Sequence, residues 1–267
     1  MTRLVHLTDL HFGIERPELV EPLHHAVVKC RPDLVVVSGD LTHRARRKQF
    51  RQAMAFLHRL NLPFLPIPGN HDVPLHNFVA RALNPFGAYR RAVSQGVAPI
   101  IEVGNLRLFG TNTAAPWRWR RGILRRHEID RICAEARTSP EDVVNILVHH
   151  HPLEEPPGFE RGETRNAREL MEKMIESGIT LALSGHLHNW SVGLGITPGT
   201  PRALFQMQTG TALCGRHGET NHGFAVMDFD GDLMTITPFI VDETTLLFTE
   251  RPPAKFTRRE GLWQPAG

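Results

Sequence analysis

The stretch Pro68-Gly69-Asn70-His71-Asp72 constrains this chain more than any other. It follows a short apolar run bounded by prolines, residues 62–67, which predicts a buried strand. The glycine allows a sharp turn, and three polar side chains follow it without a spacer. Because open α/β sheets place their ligand sites at the carboxyl ends of strands, this stretch predicts one wall of such a site.

Four other predicted strands end in the same way, each followed by carboxylate, glycine or imidazole residues. A single block of this kind is ordinary turn chemistry, and a lone histidine is usually structural or exposed. Five blocks after five predicted strands instead favour one shared polar site. The other four blocks are Asp9-x-His11, Gly39-Asp40, His149-His150-His151 and Gly185-His186-Leu187-His188. We interpret five further histidines as structural or exposed residues rather than ligands, namely His6, His24, His25, His58 and His76.

The pattern along the first part of the chain predicts an α/β fold. Apolar runs alternate with amphipathic segments, which indicates parallel strands joined by right-handed crossovers. We predict strands at residues 4–8, 34–37 and 62–67, and helices at 17–29, 46–60 and 74–93, the last interrupted near Pro85. A hairpin over 97–110, helices at 126–137 and 163–177, and strands at 143–148 and 179–183 follow.

After residue 188 the helical pattern disappears. Short predicted strands at 191–196, 202–208, 224–229 and 233–240 indicate a second, more antiparallel sheet. We expect a single domain over residues 1–250, followed by a tail over 251–267 that is partly loose because several prolines follow Glu250.

Composition narrows the class of protein. The net charge of +3 fits an anionic substrate but is too small to argue for a nucleic-acid partner. The three cysteines, Cys30, Cys133 and Cys214, are odd in number and far apart, which favours reduced thiols in a cytoplasmic protein rather than ligands. No apolar run reaches membrane-spanning length, and the first strand begins too early for a signal peptide. The oligomeric state is left open, with a homodimer among the options.

The five blocks together offer carboxylate, amide and imidazole donors. Such a mixed oxygen and nitrogen set suits Zn, Mn, Fe or Co and lacks the thiolates that favour structural zinc sites. Seven or eight candidate ligands are too many for one ion and enough for two. Two ions about 3.5–4 Å apart need a shared ligand, which a carboxylate with two oxygens can supply.

The five blocks in this order resemble the calcineurin-like metallophosphoesterases, and the bacterial class III cyclic nucleotide phosphodiesterases look most similar among them. The resemblance runs from Asp9 to His188, and the stretch 208–212 extends it. It implies an α/β fold in which two mixed β-sheets pack as a sandwich flanked by helices. The motifs are specific for the superfamily but not for a substrate.

The resemblance also implies a role for each motif residue. His71 would bind no metal; it would lie beside the phosphate and protonate or stabilise the leaving oxygen, with Asp72 orienting its ring. His149 stays open as an alternative to His150, because neighbouring side chains of a regular strand point to opposite faces. The implied ligands are Asp9, His11 and His188 for the first ion, Asn70, His150 and His186 for the second, and Asp40 as the bridge.

The implied activity is hydrolysis of phosphodiesters by a hydroxide that bridges two Mn, Fe or Zn ions. The expected partner is a small-molecule phosphate ester, with 3',5'-cyclic nucleotides as the leading candidates. The alternatives are a phosphomonoesterase, a nucleotide-linked lipid-precursor pyrophosphatase or a nuclease, although no acyl-binding insertion or heptad pattern supports the last two. A non-catalytic interaction scaffold is disfavoured because the full set of ligands is present.

Two basic clusters flank these motifs in the sequence. We favour a solvated surface for both, and the alternative is a rim that attracts anionic substrate, with a tryptophan stacking on a base. The clusters are Arg44, Arg46, Arg47 and Lys48, and then Arg118, Arg120, Arg121, Arg125 and Arg126 around Trp117 and Trp119. Arg216, His217 and Asn221 are weaker candidates for the lining of the site.

Overall fold

A computed structural model describes residues 1–118, 120–154, 162–196, 203–220 and 222–266. Its helices are α1 Pro17–Cys30, α2 Arg47–Arg59, α3 Phe78–Leu83, α4 Gly87–Ala92, α5 Arg126–Ala136 and α6 Ala167–Glu176. Its strands are β1 Thr2–Leu7, β2 Leu34–Val37, β3 Phe64–Pro66, β4 Ile100–Val103, β5 Leu106–Gly110, β6 Val144–Val148, β7 Ile179–Ser184, β8 Ser191–Ile196, β9 Ala203–Gln208, β10 Gly223–Asp230, β11 Leu233–Asp242, β12 Leu247–Glu250, β13 Ala254–Arg259 and β14 Leu262–Pro265.

The strands form two mixed sheets. The first has the order β14-β13-β11-β10-β1-β2-β3, with β12 paired to β11, and only β1, β2 and β3 within it are parallel. The second has the order β4-β5-β6-β7-β9-β8, in which β5, β6, β7 and β9 are parallel and both edge strands antiparallel. The parallel strands that precede the polar blocks therefore lie inside the sheets.

Alternating side chains of the strands build three apolar layers. In β2, Val36 packs between the sheets with Ile146 and Leu183 of the second sheet. Its neighbours Val35 and Val37 point the other way, into a cluster with α1 and α2. The outer face of the second sheet packs against α5 and α6 in a third cluster. This order of helices, sheet, sheet and helices confirms the predicted sandwich.

The later strands do not form the separate antiparallel sheet that we predicted. Strands β8 and β9 complete the second sheet, whereas β10 joins the first sheet and pairs antiparallel with β1, Thr2 lying opposite Phe229. The prediction was wrong because hydrophobic periodicity identifies a strand but not its neighbour. The pairing places residues from opposite ends of the chain side by side.

The predicted loose tail is also wrong for the described residues. Strand β13 pairs with β11 and β14 pairs with β13, so this segment extends the first sheet. Trp263 is only 1% exposed and packs into the layer between the sheets. Burial of a large aromatic side chain anchors the segment, and Pro252 and Pro253 mark the turn that leads into it. Within the described ranges, no helix has both the length and the apolar composition of a membrane span.

Burial of His6 in β1 predicts a loss of stability in acid. The ring is fully buried, its Nε2 lies 2.8 Å from Ser38 Oγ, and burial lowers the pKa of His6 to about 3. In the unfolded chain the pKa is about 6.5, so the unfolded state binds the proton first. The free energy of unfolding should therefore decrease as the pH falls from about 6.5 towards 3, with no contribution from this group above that window.

Urea unfolding of chelator-treated protein at about pH 7.5 and about pH 5 measures this effect. His6→Asn should show a smaller difference in stability between the two pH values than the parent chain. The exposed His25 supplies a control, because His25→Asn should keep the parent pH dependence. An unchanged pH dependence in His6→Asn would contradict the assignment.

Candidate metal centre

The predicted ligands from both sheets converge at the carboxyl ends of five parallel strands. This follows from the fold, because parallel strands of a sheet end at one edge and the sandwich brings the two edges together. The blocks follow β1, β2, β3, β6 and β7, and the residues after β3 form a short 3-10 helix, Asn70–Asp72. Asp9, His11, Asp40, Asn70 and His150 are each no more than 4% exposed.

Asp9, His11 and His188 form a first group of donors. The Nε2 atom of His188 lies 3.1 Å from Asp9 Oδ1 and 3.1 Å from His11 Nε2. The Nε2 atom of His11 in turn lies 3.4 Å from Asp9 Oδ1. Three donor atoms that point at one another at these distances are better placed to bind a shared cation than to bond with each other.

Asn70, His150 and His186 form a second group. His150 Nε2 lies 3.1 Å from Asn70 Oδ1, while its Nδ1 donates to the Ser38 carbonyl at 2.8 Å, which leaves Nε2 as the ligand atom. His186 packs against His150 with ring centroids 5.1 Å apart. Its Nε2 lies 2.8 Å from the Arg120 carbonyl, so Nδ1 is the ring atom left for a metal.

Asp40 lies between the two groups. Its Oδ2 atom is 3.6 Å from His11 Nε2 and 3.3 Å from His150 Nε2. Its Oδ1 atom accepts the His71 backbone N–H at 2.8 Å, which fixes the carboxylate. A Cβ added at Gly69 would lie 2.1 Å from Asp40 Oδ1, so the glycine is needed for close approach as well as for a turn.

Five of the proposed ligands have left-handed backbone conformations. Their φ angles are 54° at Asp9, 47° at His11, 49° at Asp40, 78° at His186 and 52° at His188. Such a conformation costs on the order of 1 kcal/mol or more for a residue other than glycine and accumulates at functional sites. Packing of the fold does not explain why left-handed conformations cluster at these residues, whereas convergence of their side chains on a shared metal site does.

The side chains of the histidine triplet point in different directions. His150 faces Asp40, while His149 Nδ1 bonds to the His151 carbonyl at 2.7 Å within its own loop. His151 Nδ1 lies 2.9 Å from Thr113 Oγ1. The geometry therefore supports His150, rather than His149, as the ligand from this strand.

His71 lies beside Asp40, but the role predicted for Asp72 is wrong. His71 Nδ1 bonds to the His43 carbonyl at 2.8 Å, and His71 Nε2 lies 2.8 Å from Arg216 Nη2. The Asp72 carboxylate instead accepts the backbone N–H groups of Leu41, Thr42 and Gly69 and the Thr42 hydroxyl. The short 3-10 turn directs Asp72 back at these loops, so it holds them together and does not orient the His71 ring.

The buried charges of the centre are strongly interdependent. Burial alone would raise the pKa of Asp9 and of Asp40, but His188 acts on the first and His150 on the second, so both stay well below the usual range. Burial opposes a charge on His150, yet Asp40 raises the pKa of His150 to about 9. The two carboxylates thus stay charged and draw protons onto neighbouring imidazoles. A bound metal cation would replace those protons.

Glu219 completes the first group, and the sequence offered no signal for it. Its Oε1 atom lies 2.6 Å from His188 Nδ1, opposite the nitrogen that faces Asp9. A carboxylate in this position fixes the tautomer and orientation of a ligand histidine. The buried Cys214 thiol also lies within 4.8 Å of ligand atoms of His11 and His188, although we had assigned the cysteines no site.

Glu219→Gln is expected to weaken metal binding by about 10- to 100-fold, the usual effect of losing such a partner. Titration of metal-free protein with Mn²⁺, followed by calorimetry, measures the change directly. Glu172 is exposed on α6, so Glu172→Gln provides a matched control with unchanged affinity. Mn²⁺ affinity within twofold of the parent in Glu219→Gln would show that His188 is oriented without this carboxylate.

The two groups open into a cavity of about 350 Å³. Two members of the basic clusters, Arg44 and Arg120, line it, together with the weaker candidate Arg216. Trp117 is 66% exposed and lies against Arg81. The candidates Trp119 and Asn221 fall outside the described residues. The lining residues are His11, Asp40, His43, Arg44, Asn70, His71, Arg120, His186, His188 and Arg216.

The sequence matches a known family over the part that carries the centre. A family model described as calcineurin-like phosphoesterase covers residues 2–190, which include every proposed metal ligand. The chain belongs to the calcineurin-like phosphoesterase family. The resemblance seen in the motifs is thereby confirmed.

Two relatives show what the chain is similar to in sequence. A "Probable glycerophosphodiester phosphodiesterase GpdQ" of Arcobacter nitrofigilis is 25% identical over 178 residues, 64% of this chain and 62% of that protein. A "Probable cyclic nucleotide phosphodiesterase" of Synechococcus sp. is 25% identical over 218 residues, 76% of this chain and 81% of that protein. The chain thus spans less than two thirds of the length of the Arcobacter relative.

The family fold is also present in a solved structure. A dimetal phosphatase of Danio rerio has a TM-score of 0.65 with this chain at 14% identity, covering 89% of this chain and 95% of that one. This similarity concerns the fold, and it agrees with the two mixed sheets flanked by helices described above.

Proposed function

We propose that this member of the calcineurin-like phosphoesterase family is a phosphodiesterase that depends on two metal ions. The observation that carries the proposal is the position of Asp40 Oδ2, 3.6 Å from His11 Nε2 and 3.3 Å from His150 Nε2. A carboxylate within reach of both donor groups suits a bridge between two ions. The two relatives named as phosphodiesterases support a diester as substrate.

The donors fit two metal ions of borderline hardness. Each group combines imidazole nitrogens with carboxylate or amide oxygens, a set that suits Mn, Fe or Zn. Asp9, His11 and His188 would hold the first ion, Asn70, His150 and His186 the second, and Asp40 both. When bound, the ions would supply Lewis acidity at the phosphoryl group and lower the pKa of water in the site.

His71 would act on the leaving group. The His43 carbonyl holds its Nδ1, so Nε2, which lies 2.8 Å from Arg216 Nη2, is the ring atom that would reach the substrate. Burial lowers the pKa of His71 to about 4, which keeps the free ring neutral near pH 7. An anionic phosphate beside the ring favours its charged form, which can donate from Nε2 to the leaving oxygen.

The natural substrate we favour is a small phosphodiester, with 3',5'-cyclic nucleotides as the leading candidates. Among the described residues, the lining of the cavity contains no apolar side chain for an acyl chain, which argues against a lipid-precursor pyrophosphatase. A non-catalytic scaffold is disfavoured because both donor groups are complete in the fold.

The test is a comparison of substrates with and without metal. Purified protein should contain about two ions per chain and should hydrolyse bis(p-nitrophenyl) phosphate and 3',5'-cyclic nucleotides in the presence of Mn²⁺. Chelation should abolish the activity, and Mn²⁺ should restore it. Fewer than about one ion per chain with no hydrolysis would favour a scaffold. Activity on p-nitrophenyl phosphate alone would identify a monoesterase instead.

A further inference from the structure

Three arginines around the cavity have no carboxylate partner within the described ranges. Arg44, Arg120 and Arg216 line the cavity, and none of their guanidinium groups takes part in an ion pair there. On the surface, Arg59 pairs with Glu21 and Arg258 with Asp232. What sets Arg44, Arg120 and Arg216 apart is that they line one cavity together.

The hydrogen bonds of these three residues leave their guanidinium charges available to an anionic ligand. Arg44 and Arg120 use backbone atoms, the Arg44 N–H donating to Gln49 and the Arg120 carbonyl accepting from His186. Among the contacts of the described residues, the Arg216 guanidinium alone is engaged, at 2.8 Å from His71 Nε2. Glu219 lies close enough to feel the Arg216 charge, but its carboxylate binds His188.

The positive charge of the three arginines is larger than the single negative charge of a simple phosphodiester. The donor groups contain two carboxylates, Asp9 and Asp40, which two divalent cations would already outweigh. A phosphodiester carries one negative charge, whereas three arginines line the cavity in which it would bind. Each guanidinium offers a planar fork of donors that matches a phosphate or a carboxylate.

We propose that the substrate carries a second anionic group, a phosphate or a carboxylate, next to the phosphodiester that is cleaved. This inference rests on the proposed function and narrows its substrate class to diesters that carry a further anion, which a simple 3',5'-cyclic nucleotide lacks. Arg44, Arg120 and Arg216 bind the second group and so determine specificity. Cavity size agrees with a compact substrate, because about 350 Å³ is near the lower end for small-molecule sites.

Matched diesters that differ only in the second anion test the proposal. One pair is thymidine 5'-(p-nitrophenyl phosphate) with and without a 3'-phosphate. Another is 2-carboxyethyl p-nitrophenyl phosphate against its propyl analogue. We expect kcat/KM to be higher by about tenfold or more for the member with the second anion in at least one pair, the usual size of a charge-assisted contact. The pair with the larger ratio of kcat/KM shows whether the second group is a phosphate or a carboxylate.

Arginine variants link the preference to these three residues. Arg44→Gln, Arg120→Gln and Arg216→Gln should each lower the ratio of kcat/KM between the members of a pair by about tenfold. Arg51 is exposed on α2 and does not line the cavity, so Arg51→Gln is the control with an unchanged ratio. Raising NaCl from about 0.05 to about 0.5 M should also lower the ratio, because salt screens the second charge.

Equilibrium binding gives a readout that does not need turnover. Chelator-treated protein should bind thymidine 3',5'-bisphosphate about tenfold more tightly than thymidine 5'-phosphate, and Arg44→Gln should remove the difference. Equal kcat/KM within both pairs, in protein that hydrolyses diesters, would overturn this inference and leave the proposed function intact. Absence of hydrolysis of every diester would overturn the proposed function itself.

Discussion

Asp40→Ala is expected to lose at least one metal ion per chain and to lower kcat/KM for diester hydrolysis by about 10³-fold or more. Lewis-acid stabilisation of a phosphoryl transition state is worth several kcal/mol, and each 1.4 kcal/mol corresponds to a factor of ten in rate. The alanine removes the carboxylate whose Oδ2 lies 3.3 Å from His150 Nε2 and 3.6 Å from His11 Nε2. Both donor groups lose an oxygen at once, which no other single substitution achieves.

Metal analysis of the purified variant and steady-state kinetics on bis(p-nitrophenyl) phosphate measure the two effects separately. Asp142 is exposed and remote from the cavity lining, so Asp142→Ala controls for the loss of a carboxylate. Circular dichroism of Asp40→Ala should match the parent, which separates loss of metal from loss of fold. Retention of two ions and of full activity would refute the bridging role.

His71→Ala is expected to lower kcat by about 10²- to 10⁴-fold while both metal ions stay bound. The ring is held at Nδ1 by the His43 carbonyl and presents Nε2 to the cavity, but it belongs to neither donor group. Its loss therefore removes a proton donor without removing a ligand. The backbone N–H of residue 71, which donates to Asp40, is unaffected by the substitution.

The same two measurements distinguish this variant from a ligand variant. His25→Ala, at an exposed position of α1, should leave both metal content and rate unchanged. Loss of metal in His71→Ala to the extent seen in Asp40→Ala would identify His71 as a ligand. A rate equal to that of the parent would show that leaving-group departure needs no help from this ring.

The sequence predicts the parts of this centre that depend on local chemistry. Each polar block follows an apolar strand directly, so the end of that strand locates it, and parallel strands bring such ends together. His11, Asp40 and His186 come from blocks of this kind and line one cavity. Strand alternation allowed only one of His149 and His150, and the fold supports His150 because it faces Asp40.

The parts that could not be predicted depend on contacts between distant segments. Glu219 reaches His188 from a loop that carries no motif, and the His43 carbonyl is a backbone atom that any residue would supply. The antiparallel pairing of β10 with β1 and the burial of Trp263 likewise follow from packing between chain ends. Local periodicity contains no information about such partners.

Anomalous diffraction from crystals of the protein loaded with Mn²⁺ would locate the bound ions. We expect two anomalous peaks about 3.5–4 Å apart, with the Asp40 carboxylate between them. One peak would have Asp9, His11 and His188 around it, and the other Asn70, His150 and His186. A single peak, or two peaks too far apart for one carboxylate to contact both, would contradict this prediction.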